Sequence, residues 1–188
     1  MRLVLAGVAG VGKTTVARLL SRMLGLPYRP VEAPECWLIS DPAERQLCFT
    51  CSFLRQLGGY GVFDNSLLSV YAYSEAMLRR NPHRIGLYGA ALSALELALP
   101  NGHTVVLAAK PETLAERIHY RLAREKHRRG NGTETDIKLH LEAQEHLLRI
   151  AESNNIPVIW TDDRTSEQVA KEIMKAVKAA EVAADAGR

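Results

Sequence analysis

With 188 residues, 47% of them hydrophobic and 24% charged, the chain has apolar material for one globular domain with a substantial core, and a second domain is not expected. A formal net charge of +3 and a pI near 8.8 are only mildly basic, which does not by itself indicate a nucleic-acid partner. A run of about twenty apolar residues, as a membrane span needs, does not occur, and glycines interrupt the N-terminal apolar segment; no secretory signal is supported either, and a cytoplasmic location is expected.

Residues 2 to 6 read as a short apolar strand, followed by a glycine-rich turn and a helix with apolar periodicity up to Gly25. Pro27 to Val31 can supply a second strand, and Pro30 and Pro34 frame a loop carrying Glu32, Glu35 and Trp37. Asp41 before Pro42 is an N-cap signal for a helix through about Leu57, stopped by Gly58 and Gly59. Tyr60 to Asp64 reads as a strand ending in a carboxylate, and Ser66 toward Arg80 as the helix after it. A further helix is expected from about Arg84 to Leu99, then a buried-type strand over His103 to Ala109. Pro111 opens a helix rich in arginine, Gly130 and Gly132 interrupt, and a second long helix runs from about Thr133 to Asn154. Ile156 to Thr161 gives a fifth strand before a last helix from about Ser166.

Strands alternating with helices at this spacing predict a five-stranded parallel sheet with helices on both faces. Ligands of such sheets bind beyond the carboxyl ends of the strands. The glycine loop, the Glu32 loop, Asp64 and the segment after Thr161 all follow strands, so they are expected at one edge.

Gly7, Gly12, Lys13 and Thr14 satisfy G-x-x-x-x-G-K-[ST], the phosphate-binding P-loop, within the stretch GVAGVGKTT from Gly7 to Thr15. Glycines let backbone N–H groups of Gly7, Val8, Ala9, Gly10, Val11, Gly12, Lys13, Thr14 and Thr15 turn inward around an anion. The helix starting near Lys13 aims its positive end at the same place. Lys13 is then expected to reach the β and γ phosphates of a nucleotide, and the Thr14 hydroxyl to ligate Mg²⁺. The fold class is therefore α/β of the P-loop nucleoside triphosphate hydrolase type. A base-reading N-K-x-D motif of a GTPase is not present, and only Asp64, rather than a run of acids, follows an apolar strand.

The segment VEAPECW, from Val31 to Trp37, resembles the deoxynucleoside kinases, whose second strand ends in E-P-V-x-x-W with the same Glu-to-Trp spacing, and more distantly the thymidylate kinases. The resemblance implies Glu32 as general base and Trp37 as a wall of the acceptor pocket. It also implies that Gln46, six residues before Ser52, reads a nucleobase edge through its amide. The segment FDNS, from Phe63 to Ser66, is similar to the family's acid-arginine segment, with Asp64 near Mg²⁺ and the phosphates. Here Asn65 replaces the family's arginine and carries no charge. The segment PETLAERIHYRLAR, from Pro111 to Arg124, is similar to the family's arginine lid, expected at about 117–132, followed by the Leu139-His140 pair. Arg117, Arg121 and Arg124 recur at three and four residues, so they share a helical face that can close on the triphosphate.

The resemblance spans about residues 2 to 163. It implies an ATP- and Mg²⁺-dependent kinase acting on a nucleoside, with no nucleic acid or membrane partner. A monophosphate kinase of thymidylate type is the alternative; its acceptor phosphate would need Arg45 or Arg55. A nucleotide-binding regulator without transfer activity is the reading from another class. Tyr71 and Tyr73 read as core or as acceptor-pocket aromatics. His119, His127, His140 and His146 read as surface or cap residues. Cys36, Cys48 and Cys51 read as buried core thiols rather than a disulfide framework or metal site. The apolar and small residues from Ser66 to Leu99 offer a face for a homodimer.

Overall fold

The computed structural model describes residues 1–56, 58–84, 102–129 and 134–186. Five strands, β1 (Arg2–Ala6), β2 (Tyr28–Pro30), β3 (Gly61–Asp64), β4 (His103–Ala108) and β5 (Val158–Trp160), form one parallel sheet in the order β2-β3-β1-β4-β5. The helices are α1 (Lys13–Leu24), α2 (Pro42–Gln56), α3 (Leu67–Arg80), α4 (Pro111–Arg129), α5 (Glu134–Ser153) and α6 (Ser166–Ala186). Apart from Arg84, the helix expected over 84–99 lies outside the described residues, and with it the 85–99 part of the candidate dimer face.

The register explains why the site residues meet. Leu5 and Pro30 both pair with Asp64, and Ala6 pairs with Val106, so the carboxyl ends of the strands line one edge. Alternation along β1 sends Leu3 and Leu5 into one core cluster and Val4 into another. The first cluster takes Val16, Ala17 and Leu20 of α1 and Val169, Ala170 and Ile173 of α6; the second takes Phe63, Phe53, Leu67 and Val31.

Local chemistry sets the helix ends as the sequence predicts. Asp41 Oδ1 accepts from the Ala43 and Glu44 N–H groups at the start of α2, with Pro42 in the first turn. Ser66 caps α3 by accepting from Ser69 N–H, and Gly25, at φ 63°, ends α1 with its N–H on Ser21 O.

The cysteines depart from expectation. Cys36, in the 3₁₀ turn Pro34–Leu38 after β2, is disulfide-bonded to Cys48 of α2, and Cys51 is exposed rather than buried. Helical spacing places Cys48 and Cys51 on one face but is silent about a loop folding back onto that face. Glu35 joins the two sulfurs in a close group, yet the two sulfurs are bonded to each other. The bond closes a separation of 12 residues, so reducing it is expected to lower unfolding free energy by about 3 kcal/mol from chain entropy alone. Denaturant unfolding with and without a thiol reductant checks this, and coincident curves would contradict it.

Candidate active site

The loop between β1 and α1 is gripped from one side by α3. Gly7 N–H donates to Ser69 Oγ at 3.0 Å, and Ala9 N–H donates to the Tyr73 hydroxyl at 3.1 Å. Ser69 and Tyr73 are four apart, so one face of α3 holds two rungs of the loop. Ser69 Oγ is itself 3.1 Å from Ser66 Oγ, which caps the helix. On the other side, a Cβ built at Gly10 would lie 3.3 Å from Leu114 and Ile118, so α4 packs directly against the loop.

Two glycines have opposite reasons. Gly7, at φ 153°, has no room: a Cβ would stand 2.8 Å from Leu107 O and from a Val11 methyl. Gly7→Ala is therefore expected to cost at least about 2 kcal/mol, read by thermal or urea unfolding, and an unchanged midpoint would contradict the packing. Gly12, at φ 87°, would meet nothing within 4 Å of an added Cβ, so its left-handed backbone rather than crowding is what favours glycine there.

Lys13 lies half-buried at the start of α1, its ammonium donating to Val8 O at 2.9 Å. Burial lowers its pKa to about 8, the Asp64 carboxylate opposes that shift, and the Arg121 guanidinium adds to it. Lys13, Asp64 and Arg121 thus share one electrostatic neighbourhood although they come from three elements. Asp64, last residue of β3, accepts from the Tyr28 hydroxyl at 2.9 Å, and Arg18 stacks 5.4 Å from the centre of the Tyr28 ring. Burial and the hydrogen bond to Asp64 raise the Tyr28 pKa, so the phenol stays a donor. Sequence reading missed Tyr28; its position beside Val62, two residues before Asp64, is visible only once β2 pairs β3.

Glu32 is exposed beyond β2, and its loop is held by backbone rather than carboxylate. Gln56 accepts from Glu32 N–H at 3.1 Å and donates to Glu32 O at 2.6 Å, a reciprocal amide pair across from the end of α2. Nearby, Ser52 donates to Glu35 at 2.9 Å. Thr14 and Thr15 lie in the first turn of α1, and both are exposed. Trp37 lies in the 3₁₀ turn, and Arg124 on α4; both side chains lie outside the described residues.

Other expected site residues have different employment. Tyr73 supports the phosphate loop instead of the acceptor pocket, because it points with the α3 face that meets β1 and α5; Tyr71, two residues earlier, packs on the other cluster. Gln46 is buried, and its amide nitrogen donates to Val70 O at 2.8 Å, so that donor is not presented to a base. Asn65, at φ 146°, turns its Oδ1 to the neighbouring Ser66 N–H at 2.9 Å. Arg55 is exposed at the end of α2, and Arg45 bonds Ile39 O at 2.7 Å and Ser40 O at 3.1 Å.

The arginine face of α4 also divides. Arg117 clamps the turn after β5, donating to Thr161 Oγ1 at 2.9 Å and Thr161 O at 3.1 Å, whereas Arg121 is exposed one turn further on. Asp162 meets Lys110 N–H at 3.0 Å, just before α4 begins. Burial would raise its pKa, but hydrogen bonds from Thr113 and Lys110 and the charge of Arg117 hold it below the usual carboxylate value. The helix carrying Arg121 is therefore rooted on the last strand. His119 is exposed as expected, but His146 is buried and His140 bonds Tyr73; the His127 side chain lies outside the described residues.

A parallel sheet whose first strand feeds a glycine loop, a lysine at the loop's end and a helix defines a P-loop nucleotide-binding α/β protein. The chain belongs to the AAA domain family, whose model matches residues 3–138. Three solved structures of deoxyadenosine kinase from M. mycoides share the fold, each aligning over 95% of this chain and 100% of its own. The one with bound dCTP is 18% identical with a TM-score of 0.68, and the one with the products dCMP and a flexible dCDP is 17% identical at 0.71. The one with bound dATP is 16% identical at 0.69. No curated protein matches the sequence closely enough to count as a relative. Among the described residues, no helix is long and apolar enough to cross a membrane.

Proposed function

We propose that the protein is a kinase of deoxynucleoside-kinase type, transferring the γ-phosphoryl group of ATP to a nucleoside hydroxyl within one domain over residues 1–188. The observation that carries this reading is the electrostatic neighbourhood that Lys13, Asp64 and Arg121 share beside the phosphate loop at the carboxyl edge of the sheet. The fold shared with deoxyadenosine kinase supports it.

The loop amides and Lys13 bind the triphosphate, and Arg121, with Arg124 on the same helix, offsets charge as the lid at about 117–132 closes. The acceptor hydroxyl attacks the γ-phosphorus. A new O–P bond forms while the bond to the β,γ-bridging oxygen breaks, leaving ADP with that electron pair, and Glu32 takes the hydroxyl proton. The Thr14 hydroxyl and the Asp64 carboxylate are hard oxygen donors of the kind Mg²⁺ prefers, and Tyr28 holds Asp64 in place, so these residues fit that ion. Bound Mg²⁺ neutralises charge on the β and γ oxygens.

Arg45 is already bonded to two loop carbonyls, so a monophosphate acceptor would turn to the exposed Arg55. Incubation with Mg²⁺, ATP and a panel of nucleosides and monophosphates, with products read by mass, is expected to yield a nucleoside monophosphate. A product only from monophosphates would move the protein to the thymidylate kinase type. ATP binding without any product would leave a regulator.

A further inference from the structure

We infer that Tyr73 and His140 act together as a positioning pair for the phosphate loop, an inference that rests on the nucleotide-binding reading above. The Tyr73 hydroxyl accepts from Ala9 N–H at 3.1 Å and lies 2.5 Å from His140 Nδ1. The two rings meet edge to face with centres 5.4 Å apart, which fixes the imidazole as well as the phenol. Burial, the largest influence, raises the phenol pKa, so the hydroxyl stays protonated and is able to donate a hydrogen bond to Nδ1 while its oxygen accepts from Ala9 N–H. This arrangement uses the His140 tautomer that leaves Nδ1 free to accept.

The geometry makes this more than a core contact. Ala9 lies in the middle of the loop, between Gly7, which Ser69 holds, and Gly10, which packs on α4. Tyr73 therefore adds, at the middle of the loop, a second rung to the one that Ser69 makes at Gly7. His140 belongs to α5, which packs along α3 and against α4, the helix that bears Arg121. The Arg121 charge is felt by both the Tyr73 phenol and the Lys13 ammonium, so the pair stands where donor loop and arginine helix adjoin. Neither residue needs to touch nucleotide; their action is through the Ala9 amide.

The test is binding of a fluorescent ADP analogue to the full chain carrying Tyr73→Phe, His140→Leu, His140→Asn or the double change Tyr73→Phe with His140→Leu. Loss of a buried hydrogen bond is expected to weaken binding about tenfold in each of Tyr73→Phe and His140→Leu. The double variant is expected to be no weaker than either single one, because the two residues serve one contact. His140→Asn, whose amide reaches about where Nδ1 stands, is expected to bind within about twofold of wild type. KM for ATP rises in the weak variants while KM for the acceptor stays put, a split that general destabilisation would not give. Wild-type affinity in Tyr73→Phe, multiplied losses in the double variant, or failure of His140→Asn to restore binding would each overturn the pair. Should the leucine and phenylalanine variants not fold, amide exchange in the wild type decides: slow exchange at Ala9 without nucleotide supports the pair, and fast exchange overturns it. A wild type that binds no nucleotide would bring down the donor-site reading itself, an outcome distinct from unchanged variants.

Discussion

Lys13→Ala is expected to lower kcat/KM for ATP by at least about 10²–10³-fold, the scale found when a preorganised group facing the transferring phosphoryl is removed. The side chain is half-buried, bridges the loop to Val8 O, and is the cation nearest the loop on α1. Its lowered pKa of about 8 adds a signature. Below pH 8 the free protein already holds the charge that attracts phosphate. Above it, the ammonium is lost from the free protein, whereas bound triphosphate raises the pKa and restores the proton. Nucleotide binding therefore takes up a proton above about pH 8, and affinity falls by up to about tenfold per pH unit as pH rises further. Calorimetry in buffers of different ionisation enthalpy measures that uptake. The same uptake in Lys13→Ala would assign it to another group.

Glu32→Gln is expected to lower kcat by about 10²–10⁴-fold while leaving ATP affinity within about twofold. The loop bearing Glu32 is tied to Gln56 through the Glu32 backbone N–H and C=O, so glutamine keeps the tether and removes only the base. The position is exposed, so stability is not expected to change by more than about 0.5 kcal/mol. Full kcat in Glu32→Gln would take the proton-acceptor role from this residue.

The donor half of the site is legible in the sequence because its determinants are local. Gly7 to Thr14 sit within one short stretch, and the strand before them and helix after them follow from periodicity and from Gly25. Asp41 and Ser66 announce their helices for the same reason. What is not legible depends on which surface folds onto which. Helical spacing puts Arg117 and Arg121 on one face, but only the tertiary structure brings Thr161 against Arg117 and leaves Arg121 exposed, its charge felt at Lys13. Gln46 offers an amide that could serve a base or a backbone carbonyl, and Val70 O takes its donor. Tyr73 shares a face with Ser69 at a spacing of four, a signal available in the sequence, but its partners Ala9 and His140 are 64 and 67 residues away along the chain. Cys36 and Cys48 pair because the turn after β2 folds onto α2, a contact that residue spacing does not report.

Acceptor-dependent ADP formation, measured with Mg²⁺, ATP and deoxynucleosides in parallel for the wild type and Lys13→Ala, tests the central claim most directly. A kinase of the proposed type forms ADP only when a nucleoside is present, and the variant forms almost none. ADP formation at the same rate with and without every acceptor, or none in the wild type although ATP binds, would contradict phosphoryl transfer as the function of this site.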